Sequence, residues 1–382
     1  MIIPGVDNFP IIGATTDGAI ARRSTSLLNP HTPKKRCPQV LKWCALIGIA
    51  GAVGQGLHAV AVPAGLFLGP MLVAIAFGVC GAQMHLHRQM FRFGQGCVGL
   101  LVAHSVTLSV LVSLVQSWHI MLFATLITVL LSAAVGLGAV RYGGIPGSTA
   151  AWGTAPGAAS AMVSMAEEYG ADSRVVATMQ YVRVVCVVMV GSLVSHLLGA
   201  TPIAHEVTQS LDPIQRADLL NISLSLAVIL FGVAAGSKMP AGALLMPLLV
   251  GGALQLSGVL DITMPPWLLA TAYGAIGCYI GLRFDRNTVR YVFKHLPAMI
   301  IGALILITLC AGCAWLLAYA TGTDFLSMYL ATSPGGLDAM AIIAVETHAD
   351  VGMVLAMQTL RLFGVILTGA FFARQIIRLT QS

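Results

Sequence analysis

The chain has 382 residues, of which 57% are hydrophobic and only 9% charged, and its mean hydropathy is +0.88. Soluble domains carry about 25% charged residues, so this composition excludes an ordinary soluble globule. The formal net charge of +6 does not make a nucleic-acid binder, because the basic residues punctuate gaps between apolar runs and form no continuous stripe.

The first 38 or so residues carry Pro, Thr, Ser and the cluster Lys34-Lys35-Arg36 with little apolar periodicity. They read as a flexible cytoplasmic tail (1–38) and not as a cleaved leader, whose apolar run would begin nearer the start. Apolar runs of about 20 residues follow, the length that crosses a bilayer as helix. Five are expected at about 41–60, 64–82, 94–114, 119–140 and 174–198, and five more at about 219–237, 241–260, 266–284, 297–320 and 352–376. The ten-residue alternation of a membrane barrel is missing. The fold class is therefore an all-α polytopic membrane protein, divided into a first membrane repeat (39–200), an external linker (201–217) and a second membrane repeat (218–382).

The repeat is carried by residues that recur at nearly one offset. Val62-Pro63-Ala64-Gly65 returns as Met239-Pro240-Ala241-Gly242 at an offset of 177, and Thr154-Ala155-Pro156-Gly157-Ala158 as Thr332-Ser333-Pro334-Gly335-Gly336 at 178. Ala161-Met162, Glu168, Ala171-Asp172 and Met179-Gln180 with Arg183 return as Ala339-Met340, Glu346, Ala349-Asp350 and Met357-Gln358 with Arg361.

Between the last two spans of each half lies a Gly-, Ser-, Thr- and Ala-rich segment, 143–171 and 325–349. If it dips in and returns, each half crosses five times and the second copy is inverted; if it crosses, each half has six crossings and the copies are parallel. With five crossings and a cytoplasmic N-terminus, 17 of the 20 Lys and Arg fall inside, Arg216 falls outside, and Arg183 and Arg361 lie within spans. The excess of basic residues in cytoplasmic loops favours this inverted arrangement, with both termini cytoplasmic. Irregular backbone at membrane depth requires a protein-buried seam or a water-filled cavity.

Within these segments, Thr154, Pro156 and Gly157, and Thr332, Ser333, Pro334, Gly335 and Gly336, read as helix starts with Pro at the first helical position; Ser333 precedes Pro334, whereas Ala155 precedes Pro156, so capping there must come from Thr154 or be absent. Such starts expose N–H groups that suit an anion, while tight helix packing is the competing reading. Steps of four, four and three put Asp172, Val176, Gln180 and Arg183 on one helical face, and likewise Asp350, Val354, Gln358 and Arg361. An Arg within a span is costly and is usually paired or facing water. Two roles are open for it, contact with a substrate or a brace for carbonyls freed by the broken segment. Asp338 stands where the first copy has Ser160; pairing with an Arg is the expectation, with carriage of a proton or sodium ion as the alternative. Glu168, Glu346, Asp172 and Asp350 read mostly as solvated.

Cys310 and Cys313 have CxxC spacing but lie in an apolar run, where thiols act as small hydrophobes. His85 and His87 lack further ligands at helical spacing, so no metal, cofactor or catalytic residue is assigned.

The duplicated Pro-Gly, Ala-Met, Ala-Asp and Met-Gln-x-x-Arg motifs resemble the AbrB family of bacterial inner-membrane proteins. So do the stretches Ala150-Ala151-Trp152-Gly153, Tyr329 through Asp338, and Ala356 through Leu362, and the resemblance covers about residues 40–380. It implies an inner-membrane location and a role in the regulation of gene expression; the family is also labelled an ammonia monooxygenase. The residues themselves point to a non-enzymatic secondary transporter for a small, anionic solute, embedded in lipid and without nucleic-acid contact. A membrane regulator is the second reading, a membrane enzyme the third, and self-association into a homo-oligomer stays open.

Overall fold

The computed structural model describes residues 39–104, 118–157, 159–199, 216–239, 241–347 and 349–365, with the backbone alone at 160, 161, 164, 168, 216–219 and 238. The tail, nearly all of the linker and the ends of the spans expected at 94–114 and 352–376 lie outside these residues. Among the described residues there are helices and no strand. They are α1 (Gln39–Ala59), α2 (Gly65–Val79), α3 (Arg88–His104), α4 (Trp118–Gly143), α5 (Gly147–Thr154), α6 (Ala159–Glu168), α7 (Ser173–Leu197) and α8 (Arg216–Ala235). After a 3₁₀ turn come α9 (Gly242–Leu256), α10 (Pro266–Gly281), α11 (Arg286–Val292), α12 (Leu296–Thr321), α13 (Phe325–Thr332) and α14 (Leu337–Glu346), and then α15 (Val351–Val365).

Four of the described helices, α1, α4, α7 and α12, are long and apolar enough to cross a membrane. Their outward faces carry exposed Ile47, Leu122, Phe123, Leu126, Ile301, Leu304 and Ile305, which water would not tolerate in such density. Exposed Trp118 and Tyr142 mark the two ends of α4, and Trp315 and Tyr319 the end of α12, as aromatic rings do at membrane interfaces. Burial ranks these helices: 67% of the apolar window of α7 is buried against 17% of that of α1. So α7 runs through the protein interior and α1 lies at the rim. The short helix α14 is apolar on nearly every side, and Met340, Ala341, Ile342, Ile343 and Ala344 are each fully buried; a helix of that kind belongs inside.

Packing sorts the helices into two groups. In one, α2 lies against α10 and α3 against α9, α3 touches α10, and α1 and α8 flank α2 and α9. Close approach here rests on glycine. A Cβ on Gly99 would sit 2.1 Å from the Leu244 carbonyl oxygen, and one on Gly277 2.4 Å from that of Phe67. In the other group, α4 packs on α12, α5 on α4 and α7, and α13 on α12. The α14 helix packs on α13 and α7 and reaches across to α3.

Helices α2 and α9 begin alike. Ala64 and Ala241 precede them in the left-handed region, at φ 58° and 54°, a conformation that costs an alanine about 1–2 kcal/mol. Each helix carries an internal proline, Pro70 or Pro247, whose ring lies over a glycine of the preceding helix, Gly54 or Gly232.

The Gly-rich segments each form two short helices around a break. The Asp350 N–H donates to Ser327 Oγ at 2.8 Å, and the Asp172 N–H to Thr149 Oγ1 at 3.3 Å. Residues near the start of α13 and α5 thus meet the residues that open α15 and α7, so each segment turns back on itself.

Candidate functional site

The first break follows α5. Thr154 ends that helix, and its hydroxyl donates to the Ala150 carbonyl at 2.9 Å. Ala155 leaves the helix at φ −55°, ψ 128°, as a residue before proline must. Pro156 has no N–H, so carbonyls near the end of α5 lose their helical partners. Side chains of α7 supply them. Gln180 Nε2 donates to the Trp152 and Ala155 carbonyls at 2.8 and 3.0 Å. Arg183 Nη1 donates to Thr154 and Ala155 at 3.3 and 2.9 Å, and its Nη2 to Gln180 Oε1 at 2.7 Å.

The second break is built the same way. Thr332 ends α13 with its hydroxyl on the Met328 carbonyl at 2.9 Å, and Ser333 is extended at φ −57°, ψ 136°. From α15, Gln358 Nε2 donates to Leu330 at 2.8 Å and to Ser333 at 3.0 Å. Arg361 Nη1 donates to the Ser333 carbonyl at 2.5 Å and its Nη2 to that of Gly335 at 2.9 Å; Nη2 also reaches Gln358 Oε1. The structure therefore joins Thr154, Gln180 and Arg183 at one break, and Thr332, Ser333, Gly335, Gln358 and Arg361 at the other.

Four expectations from the sequence need correction. Thr154 and Thr332 end helices rather than start them: in an apolar setting their hydroxyls bond back to the carbonyl four residues earlier. Helix α14 begins only after Gly336, an extended N-cap without a side-chain acceptor, so Pro334 lies in the break and not at a first helical position. Among the described residues Asp338 is hydrogen-bonded to no arginine. Both of its oxygens accept from Gln95 Nε2 of α3, at 2.9 and 3.0 Å. Glu346 is not solvated either; it is 6% exposed, and its Oε2 accepts the Ala64 N–H, at the start of α2, at 2.6 Å. Asp172 and Asp350 serve as caps, accepting from Arg174 N at 3.0 Å and Met353 N at 2.9 Å. The side chains of Glu168 and Ser160 lie outside the described residues.

Each break packs across the repeats. A Cβ on Gly157 would contact Met162 and Val365, and one on Gly335 would contact Met340 and Val187. Each break thus packs against the last long helix of the other half. The two guanidiniums lie within electrostatic reach of each other, and the Cys310 thiol of α12 lies within reach of both. Each is 5% exposed, and among the described residues no carboxylate pairs with either. Among the described residues, Arg183 Nε and Arg361 Nε are buried without a hydrogen-bond partner, and the Ser333 and Tyr329 hydroxyls lie within hydrogen-bonding reach of each other. A cleft of about 20 Å³, room for about one water, reaches Thr154 and Arg183 from between α4 and α12.

Gln95, Cys310, Tyr329 and Glu346 were missed as site residues. Gln95 had a signal, since it is a polar residue flanked by Gly94 and Gly96 beside an apolar run, and Glu346 had one in its repeat twin Glu168.

A family model described as "Transition state regulatory protein AbrB" matches residues 66–377. The chain is 42% identical over 340 residues to a protein of Escherichia coli (strain K12) named "Putative regulator AbrB", covering 88% of this chain and 97% of that one. It is 27% identical over 360 residues to "Uncharacterized protein YhjN" of Bacillus subtilis (strain 168), covering 87% and 92%.

Proposed function

The chain belongs to the AbrB family, and from that premise we propose that it is a secondary carrier for a small anionic solute, built from two inverted repeats in the inner membrane. The observation that carries the anion is the pair Arg183 and Arg361: buried, within electrostatic reach of each other, and unpaired by any carboxylate among the described residues. Carbonyl dipoles solvate the two charges but do not neutralise them, and a buried cation normally requires a counter-charge. Each guanidinium keeps an unused Nε–H, and at the second break the Ser333 and Tyr329 hydroxyls lie within hydrogen-bonding reach of each other. A carboxylate or similar oxyanion entering between the breaks would satisfy these donors.

Inversion is supported by the two hydrogen bonds that close the Gly-rich segments on themselves. Segments that return give each half an odd number of crossings. The packing also exchanges under the repeat, α2 with α10 for α9 with α3. Broken helices at the interface of inverted halves are where secondary transporters bind their solutes. In this reading the two packed groups shift against each other, lipid surrounds the whole, and both termini face the cytoplasm.

The test is flux in proteoliposomes, screened against small carboxylates, inorganic anions and amino acids. Accumulation of an anion by the wild type, reduced at least tenfold in correctly folded Arg183→Lys or Arg361→Lys, is the expected outcome. Absence of anion flux from folded wild-type protein, or flux unchanged in both variants, refutes the reading. A membrane regulator is the second reading, favoured by the printed name of the Escherichia coli relative. It requires a cytoplasmic contact, and removal of residues 1–37 would abolish a transcriptional phenotype if the tail makes it.

A further inference from the structure

Asp338 breaks the symmetry of the repeat, since Ser160 stands in its place in the first copy. It lies one residue into α14, half-buried, facing Gln95 of α3, which is 8% exposed. Gln95 Nε2 sits 2.9 Å from one carboxylate oxygen and 3.0 Å from the other. We propose that Asp338 and Gln95 form a proton-binding site that couples protonation to movement of the second broken segment.

The chemistry lies in the partner. An arginine would hold the carboxylate charged. Glutamine is neutral and carries a donor and an acceptor on one group. With Asp338 ionised, the amide N–H donates to it, as observed. When a proton adds to a carboxylate oxygen, a new O–H bond forms and the amide turns over so that its Oε1 accepts that O–H. Both charge states are hydrogen-bonded; the carboxyl O–H bond forms as the O–H bond of the donating hydronium breaks, and the proton returns to water by the reverse step.

The surroundings leave the group free to cycle. On α3, Arg92 is committed to the Val233 carbonyl at 2.7 Å. On α7, Arg183 is held by the first break and Gln180. On α15, Arg361 is held by the second break and Gln358. Helix α13 carries no charged side chain, and its polar residues next to the break, Tyr329 and Thr332, are neutral. Further along α14, Glu346 takes the Ala64 N–H and lies near the Tyr273 hydroxyl of α10.

Coupling follows from where the bonds sit. The carbonyls gripped by Arg361 belong to Ser333 and Gly335, directly ahead of α14, and Asp338 leads from the same helix to α3. One short helix thus joins the guanidinium site to a polar link between the two packed groups. Neutralising Asp338 alters that link without touching the arginine. The meaning of this site rests on the carrier reading, but its test does not.

Full-length protein in nanodiscs, without added solute, is titrated with acid and followed by infrared difference spectroscopy in H₂O and D₂O. The expected result is a protonated-carboxyl carbonyl band that is lost in Asp338→Asn and retained in Glu346→Gln. Gln95→Arg, which leaves Asp338 in place, removes the same band, and gel filtration shows that the variants remain folded. Retention of the band in Asp338→Asn or Gln95→Arg, or no Asp338-dependent band in the wild type, overturns the proposal. Failure of anion flux leaves this spectrum unaffected, so the two readings fail separately.

Discussion

Replacing Arg361 with Met keeps an unbranched apolar stem and removes the fork that closes the second break. Three hydrogen bonds disappear, to the carbonyls of Ser333 and Gly335 and to Gln358 Oε1. Bonds made by a charged group contribute about 1.5–3 kcal/mol each. Relief from burying a guanidinium returns about 2.5–3.5 kcal/mol. Gln358 Nε2 still serves the Ser333 carbonyl at 3.0 Å, so only the Gly335 carbonyl loses its side-chain donor outright. The net loss should be about 2–4 kcal/mol. Arg361→Lys keeps the charge but cannot bridge two carbonyls and Gln358 at once, so it should fall between. Equilibrium unfolding of the full chain in mixed micelles with increasing SDS measures both. The double variant with Gln358→Leu should be non-additive by ~1 kcal/mol or more, because the two side chains bond each other and share the Ser333 carbonyl. Stability of Arg361→Met within about 0.5 kcal/mol of the wild type, together with additive behaviour of the pair, would refute the brace.

Gly99→Ala and Gly277→Ala should each strongly reduce the yield of folded protein in detergent gel filtration, because the new Cβ would lie 2.1 and 2.4 Å from backbone oxygens of Leu244 and Phe67 that cannot withdraw. Gly312→Ala, whose Cβ meets open space, should behave as wild type. Outside the spans, the Tyr291 hydroxyl donates to Asp172 at 2.7 Å, and that bond, with the carboxylate's charge, raises the phenol above its ordinary range. In Asp172→Asn the absorbance change of Tyr291 ionisation should move to lower pH. The sign for stability follows: the contribution of this contact is present below the ordinary phenol value of about 10 and lost as pH rises through the higher folded one.

The breaks and stripes were legible because their determinants are local and duplicated. Pro156 and Pro334 interrupt helices wherever they stand, and the spacing of Gln180 and Arg183 aims both at the same end of α5. Where a helix begins was less legible. Ser or Thr before Pro marks a start in water, where a hydroxyl competes for exposed N–H groups. Within this apolar interior the Thr154 and Thr332 hydroxyls instead bond the nearest helical carbonyl. Hydropathy also missed the first turns of α3, which begins at Arg88 and not at 94, because its polar opening depresses any apolar window. Gln95 stood out as a polar residue between glycines, but nothing local paired it with Asp338: the two are 243 residues apart, and only the packing of α14 onto α3 brings them together. Glu346 misled for a similar reason, since its acceptor role depends on the Ala64 N–H, 282 residues distant.

The matched braces and the unmatched carboxylate have an energetic consequence together. Each break is held by one glutamine and one arginine in nearly the same pattern, so the repeats contribute similar terms to any pair of exchanged conformations. A difference between those conformations must then come from residues that the repeat does not share, and Asp338 opposite Ser160 is the most polar of these around the breaks. Protonation exchanges a hydrogen bond to a charged group, worth about 1.5–3 kcal/mol, for a neutral one of about 0.5–1.5 kcal/mol, a difference that biases two states by roughly tenfold. Swinging a population from 1:99 to 99:1 takes about 5.5 kcal/mol. In the proposed carrier, protonation of Asp338 would therefore tilt the equilibrium without completing the swing, and a solute at Arg183 and Arg361 would supply the remainder. A carrier arranged this way responds weakly to pH alone and strongly to pH and solute together.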